Sequence, residues 1–167
     1  IGGIEASLRR LTHYDYWQDR LRRCILCDSN ADLLSYGMGE KTIVKIAEEI
    51  ASGRDVRELR ELPQTVFLAK KDEIPDGINA DDIVLHSHEE CLQNKKAEAE
   101  NYMHIEEESN KMHAQRLIQK VGNVYVVVNP PYPPMTTEEL DASFDLPYTR
   151  LPHPKYKNKR IPAYEMI

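Results

Sequence analysis

Twice in its first 53 residues the chain runs from an apolar segment through a glycine turn into a helical stretch, and this repeat constrains the fold more than any other feature. The first instance is Ile1-Gly2-Gly3, read as the end of a buried strand. It leads into a helix over 5–11 with Leu8 and Leu11 on one face. The second is Asp32-Leu33-Leu34-Ser35-Tyr36, a buried strand that turns through Gly37-Met38-Gly39-Glu40. The helix that follows carries Ile43, Val44, Ile46, Ala47 and Ile50 on its apolar side and stops at Gly53 as a C-terminal cap. Between them Arg23-Cys24-Ile25-Leu26-Cys27 is a short, strand-like apolar run. Strand, turn and helix repeated in this way predict an α/β fold, a parallel sheet with crossover helices.

The remaining segments extend that plan. Thr65-Val66-Phe67-Leu68-Ala69 and Asp82-Ile83-Val84-Leu85-His86 read as strands, and the turn-rich loop around Pro75-Asp76-Gly77 fits an antiparallel hairpin between them. Residues 88–120 read as one long helix opened by a Ser87/Glu90 capping box, with Tyr102, Met103, Ile105, Met112, Leu117, Ile118 and Val121 along its stripe. Gly122-Asn123 ends it, and Val124-Tyr125-Val126-Val127-Val128 is strongly β-prone. Pro130-Pro131-Tyr132-Pro133-Pro134 cannot lie inside a sheet. The division expected is therefore an α/β domain over 1–128 and a proline-rich extended arm over 129–167.

Charge and cysteine content exclude several function classes. The 167 residues carry a net charge of −6, which argues against binding nucleic acid by phosphate neutralisation. The basic runs at Arg20-Leu21-Arg22-Arg23 and Lys155–Arg160 read as solvated faces. No apolar run approaches the ~20 residues of a membrane helix. Three cysteines, Cys24, Cys27 and Cys91, make no disulfide framework and fit a reducing cytoplasm.

Four constellations bear on chemistry. Cys24-Ile25-Leu26-Cys27 has the spacing of a metal or redox pair. Zinc would need a second pair of ligands, and two residues three apart on a strand face opposite sides, so the pair reads as structural. His86-Ser87-His88-Glu89-Glu90-Cys91 resembles a ligand cluster, but the capping box accounts for half of it without a metal. The turn at Gly37 and Gly39 can offer backbone N–H groups to an anionic cofactor, or simply be a tight turn. His13-Tyr14-Asp15-Tyr16-Trp17 is dense in polar-tipped aromatics. It either lines a ligand cleft, with His13, Tyr14, Asp15 and Trp17 as candidates, or packs as a loop with satisfied hydroxyls.

Several segments, in order and nearly end to end, resemble one family. They are Gly2-Gly3-Ile4-Glu5-Ala6-Ser7-Leu8-Arg9-Arg10, His13-Tyr14-Asp15-Tyr16-Trp17, Ala31-Asp32-Leu33-Leu34 with Tyr36-Gly37 and Gly39-Glu40, then Gln119, Gly122 and Asn129-Pro130-Pro131 with Pro134. Leu146-Pro147-Tyr148, Arg150, Pro152-His153-Pro154 and Ile161-Pro162-Ala163-Tyr164-Glu165 complete the set. They are similar to the YgiQ-type radical SAM proteins. The resemblance implies the latter part of a Rossmann-like domain of the cobalamin-binding type, leading into a radical SAM barrel. There a C-x-x-x-C-x-x-C loop would hold a 4Fe-4S cluster that binds S-adenosylmethionine and cleaves it reductively. The cysteines here lack that spacing, so the chain alone is expected to hold no cofactor and to be catalytically inert. The base-off corrinoid signature D-x-H-x-x-G is also absent, and cobalamin is not expected. The barrel of the same polypeptide is the expected partner. A chain without an initiator Met, opening on a strand end, reads as a piece of a longer protein. An unpaired sheet edge there would favour self-association or exchange of the arm.

Overall fold

The computed structural model describes residues 1–149 and 151–166. They form two compact units, Ile1–Pro134 and Met135–Ile167. The first is built on a five-stranded sheet. Its strands are β3 (Leu34–Ser35), β4 (Thr65–Ala69), β5 (Ile83–Leu85), β6 (Leu117–Val121) and β7 (Val124–Val128), in the order β3-β4-β7-β6-β5. A separate ribbon pairs β1 (His13–Asp15) with β2 (Arg20–Arg22). The helices are α1 (Ile4–Leu8), α2 (Glu40–Ala51), α3 (His88–Gln93) and α4 (Lys95–Ser109).

The fold is α/β, as the sequence predicts, and its sheet is mixed. Parallel pairing joins β5 to β6, and the other three neighbours are antiparallel. Ile1 adds a second parallel contact at the far edge: its backbone nitrogen donates to Leu33 O at 2.8 Å, and Ser35 N donates to Ile1 O at 2.9 Å. Alternation along the strands divides the core. Val66, Leu117, Val126 and Val128 face Leu11, Cys24, Leu26 and Ala6, while Phe67, Ala69, Ile118 and Val127 face Leu33, Leu59, Leu62 and Ile74.

Several local expectations give way to tertiary pairing. The hairpin lies between β6 and β7 rather than between 65–69 and 82–86. Gly122, at φ 57°, closes it as one of two turn residues, so Gly122-Asn123 is a strand turn and not a helix end. The stretch 88–120 is not one helix. Asn94 leaves helical geometry and its side chain accepts from Lys96 N to start α4. Leu117, Ile118 and Val121 then pair as a strand, because beside β7 both faces of the segment are buried, Leu117 and Val121 in one half of the core and Ile118 in the other. Residues 23–27 are not a strand either: Ile25–Cys27 is a single 3₁₀ turn. Helix α1 stops at Leu8, leaving Leu8 exposed and Leu11 buried beyond the helix end.

The second unit contains α5 (Thr137–Phe144), opened by a Thr136/Glu139 capping box, and α6 (Pro162–Glu165). Helix thus occurs where an extended arm is expected. Within its basic run, the Lys155 and Lys159 ammonium groups lie over the Tyr156 ring, at 5.1 and 6.0 Å from its centroid.

Candidate functional site

The buried Gln119 fixes the start of the β1–β2 ribbon on the sheet, and an Arg9–Asp28–Arg23 cluster holds its far end. Gln119 of β6 accepts from Thr12 N at 2.8 Å and donates to His86 O at 3.0 Å, locking the residue just before His13. Arg9 donates to Asp28 at 2.7 Å, and Asp28 also receives Arg23 at 2.7 Å. Burial works against the Asp28 charge, but Arg23 and Arg9 together hold its carboxyl below the ordinary range. Thr12 Oγ1 and His88 Nδ1 stand 3.0 Å apart, and burial lowers the pKa of His88.

A cleft of about 430 Å³ opens between this ribbon, the end of α1 and α4. His13 and Tyr14 border it, opposite Glu98 and Tyr102, with Arg10 at one side. His13 is held toward the neutral imidazole by burial and by the Arg9 guanidinium. Tyr14 Oη donates to Asp19 Oδ1 at 2.5 Å, which raises the phenol's pKa. Burial raises the carboxyl of Glu98 and the neighbouring Cys91 thiol opposes that rise, while the enclosed Glu98 Oε2 makes no hydrogen bond among the described residues. The Arg10 guanidinium donates to Ser7 O at 2.6 Å and Ser109 Oγ at 3.3 Å, and lies over the Tyr36 ring at 5.1 Å. Its Nε is likewise buried and unpartnered, and burial depresses its pKa. The cleft therefore sets a guanidinium with one unpartnered nitrogen and a weakly acidic carboxyl beside two aromatic rings. That combination suits a polar ligand with one apolar face.

The other sequence candidates lie elsewhere. Asp15 accepts from Gln18 N at 3.1 Å inside the ribbon's turn. Trp17, at the tip, is 91 % exposed and stacks edge-on against Tyr16, ring centroids 5.7 Å apart. Neither lines the cleft. Gly37 and Gly39 border a different cleft, of about 710 Å³, at the β3 edge beside Ile43 and Ile46. Gly37 takes the left-handed conformation (φ 65°), and its N–H donates to Ser7 Oγ at 3.0 Å. Gln64 holds the same turn by donating to Tyr36 O at 2.8 Å and to Met38 O. That N–H has a protein acceptor already.

Glu98 and Arg10 are the residues that motif reading passes over. One signal was present: Glu98, Tyr102, Ile105 and Ser109 recur at helical spacing on one face of α4. Asn129 and Gln119, singled out only by resemblance, acquire physical roles. Asn129 Nδ2 donates to Arg60 O, Leu62 O and Thr65 Oγ1 at 2.8, 2.9 and 3.1 Å, lacing the loop before β4 to the end of β7.

The described residues hold no group of three or more His, Cys, Asp or Glu arranged for a metal ion, and the sequence has no C-x-x-x-C-x-x-C. The residues present do not fit an iron–sulfur cluster. No helix is long and apolar enough to cross a membrane among the described residues.

The radical SAM N-terminal family matches residues 1–167, and the chain belongs to that family. It is 60 % identical to a UPF0313 protein of Bacteroides thetaiotaomicron and 54 % identical to one of Porphyromonas gingivalis, each over the whole chain. It is 37 % identical, again over the whole chain, to the UPF0313 protein YgiQ of Escherichia coli K12. These alignments cover 28 %, 26 % and 30 % of the respective relatives, so the chain spans less than a third of their length. No solved structure matches.

Proposed function

We propose that this chain is the part of a cytoplasmic radical SAM protein that lies beside the catalytic barrel and holds substrate at the ribbon cleft. Reductive cleavage of S-adenosylmethionine at a 4Fe-4S cluster would belong to the barrel, in the longer polypeptide. The observation that carries the reading is the coincidence, in one cleft, of the His13–Tyr14 block with two buried unpartnered polar atoms, Glu98 Oε2 and Arg10 Nε. Buried polar atoms without partners cost ~1–3 kcal/mol each, and a bound ligand is one way to recover it. The end-to-end family match without the cluster-binding spacing supports the division of labour.

The test is turnover by the longer polypeptide. Alanine at His13, Tyr14 or Asp15, and Glu98→Gln, are expected to lower it, with the larger losses at His13, Tyr14 and Glu98. Full activity in all four variants would sink the proposal. A second reading, a docking module without a small ligand, is favoured by the solvent-facing Tyr16–Trp17 pair. Titrating nucleotides and corrinoids into the chain separates the two, since a ligand of the folded state raises thermal stability. No shift, together with weakened barrel association on Trp17→Ala, selects docking.

A further inference from the structure

We infer that Cys24 and Cys27 are a dithiol site that exchanges with low-molecular-weight disulfides and closes an intramolecular disulfide. The sequence argued against a pair because residues three apart on a strand point opposite ways. The 3₁₀ turn reverses that premise. Cys24 is the extended residue that opens the turn (φ −45°, ψ 136°), and the i→i+3 closure brings its Cα to within about 7 Å of that of Cys27, the span a disulfide can bridge. The turn is intact: Cys27 N donates to Cys24 O at 3.0 Å, and Ile25 N donates to Arg9 O at 2.9 Å. Both cysteines are free thiols.

Their environments assign different roles. Cys24 is wholly enclosed in the core beside Leu11 and Leu26. Cys27 is only partly buried and is reachable from solvent. Hydrogen bonding within the pair lowers the Cys27 thiol and raises that of Cys24. The Arg23 guanidinium adds to the lowering at Cys27, against Asp28 and Glu89, which oppose it. Cys27 is therefore the attacking thiolate and Cys24 the resolving thiol. Cys91 resembles Cys24 in burial but has no second cysteine in its turn: it receives Asn101 Nδ2 at 3.2 Å, and burial pushes its thiol up to about 12.

The exchange balances in two steps. The Cys27 thiolate, its proton already lost to solvent, attacks one sulfur of the small disulfide. A mixed disulfide forms, and the other half leaves as a thiolate that takes up a proton. Cys24 then loses its proton and attacks Cys27 Sγ, forming the Cys24–Cys27 bond and expelling the second half, which is protonated in turn. Two cysteine thiols are oxidised, and one small disulfide is reduced to two thiols.

The test uses the chain in mixtures of oxidised and reduced glutathione, with acid quench, alkylation and peptide mass mapping. The expected product is a Cys24–Cys27 disulfide with Cys91 still reduced, and an equilibrium constant at least about tenfold above that of the urea-unfolded chain. Cys24→Ser, and Cys24→Ala as the better-tolerated core variant, should stop at a glutathione adduct on Cys27. Cys27→Ser should leave Cys24 at least about tenfold less reactive than Cys27 in the parent chain. Accumulation of the Cys27 adduct without ring closure in the parent chain would overturn the inference. So would equal constants in the native and unfolded chain, or no reaction with glutathione at all.

Discussion

Helices α2 and α4 bury themselves by opposite means. α2 has a clear apolar stripe, yet Ile43 and Val44 are 60 % and 58 % exposed, and its one wholly buried residue is Thr42. α4 is rich in charge and has little amphipathic pattern, yet Ala97, Asn101 and Glu108 are buried. In α2 only Ile46 of the stripe packs on the core, and it shares the edge cleft with Ile43, so most of the pattern points away from the core. In α4 specific hydrogen bonds replace pattern. Asn101 accepts from His86 N and donates to His86 O, both at 2.9 Å, capping the end of β5 like an extra strand residue. Glu108 accepts from Gln115 N at 2.6 Å and pairs with Lys111. Apolar periodicity and burial direction are thus separable in this chain.

The comparison can be broken at four points. Asn101→Ala leaves the His86 amide without its acceptor and a cavity at a fully buried position, while the His86 carbonyl keeps Gln119. A loss of about 2–4 kcal/mol in urea unfolding is expected. Glu108→Gln should cost about 1–2 kcal/mol at pH 7. Burial opposes the Glu108 charge, but Lys111 and the Gln115 N–H hold its carboxyl below the ordinary value. A depressed folded pKa stabilises above the unfolded value of about 4.3, so the difference between Glu108→Gln and the parent chain should shrink as pH falls through that range. Thr42→Val removes a buried hydroxyl with no partner among the described residues, and should raise stability by about 1 kcal/mol. Ile43→Ser, on the exposed stripe, should change stability by no more than about 0.5 kcal/mol. A loss there equal to that of Asn101→Ala would show that the stripe of α2 is packed after all.

What the sequence discloses follows the same division. Thr65–Ala69 and Val124–Val128 are legible to the residue, because strands with both faces buried need unbroken apolar runs. The Ser87/Glu90 box and the Gly53 cap are legible because their chemistry is local. Leu117–Val121 is not, since its apolar residues fit a helical stripe as well as a strand until β7 supplies a partner. At the candidate cleft, aromatic density points to two of the lining residues, His13 and Tyr14. Glu98 and Arg10 stay hidden, because what distinguishes them is one enclosed atom each without a hydrogen bond, and spacing along a chain does not reveal that.

The parallel β5–β6 pair has a consequence for how the molecule opens. β6 and β7 are joined by two residues, whereas 86–116 must close before β5 can dock, and then only three residues pair. Local closure is fast and long closure is entropically slow, so the β6–β7 ribbon forms early and β5 with α3 and α4 arrives as a late cooperative segment. The same segment is expected to lift away before the β6–β7 ribbon under native conditions. Amide hydrogen exchange should therefore show the β7 core as the most protected backbone. The amides of β5, α3 and α4 should exchange together, at one lower opening free energy that Asn101→Ala lowers further.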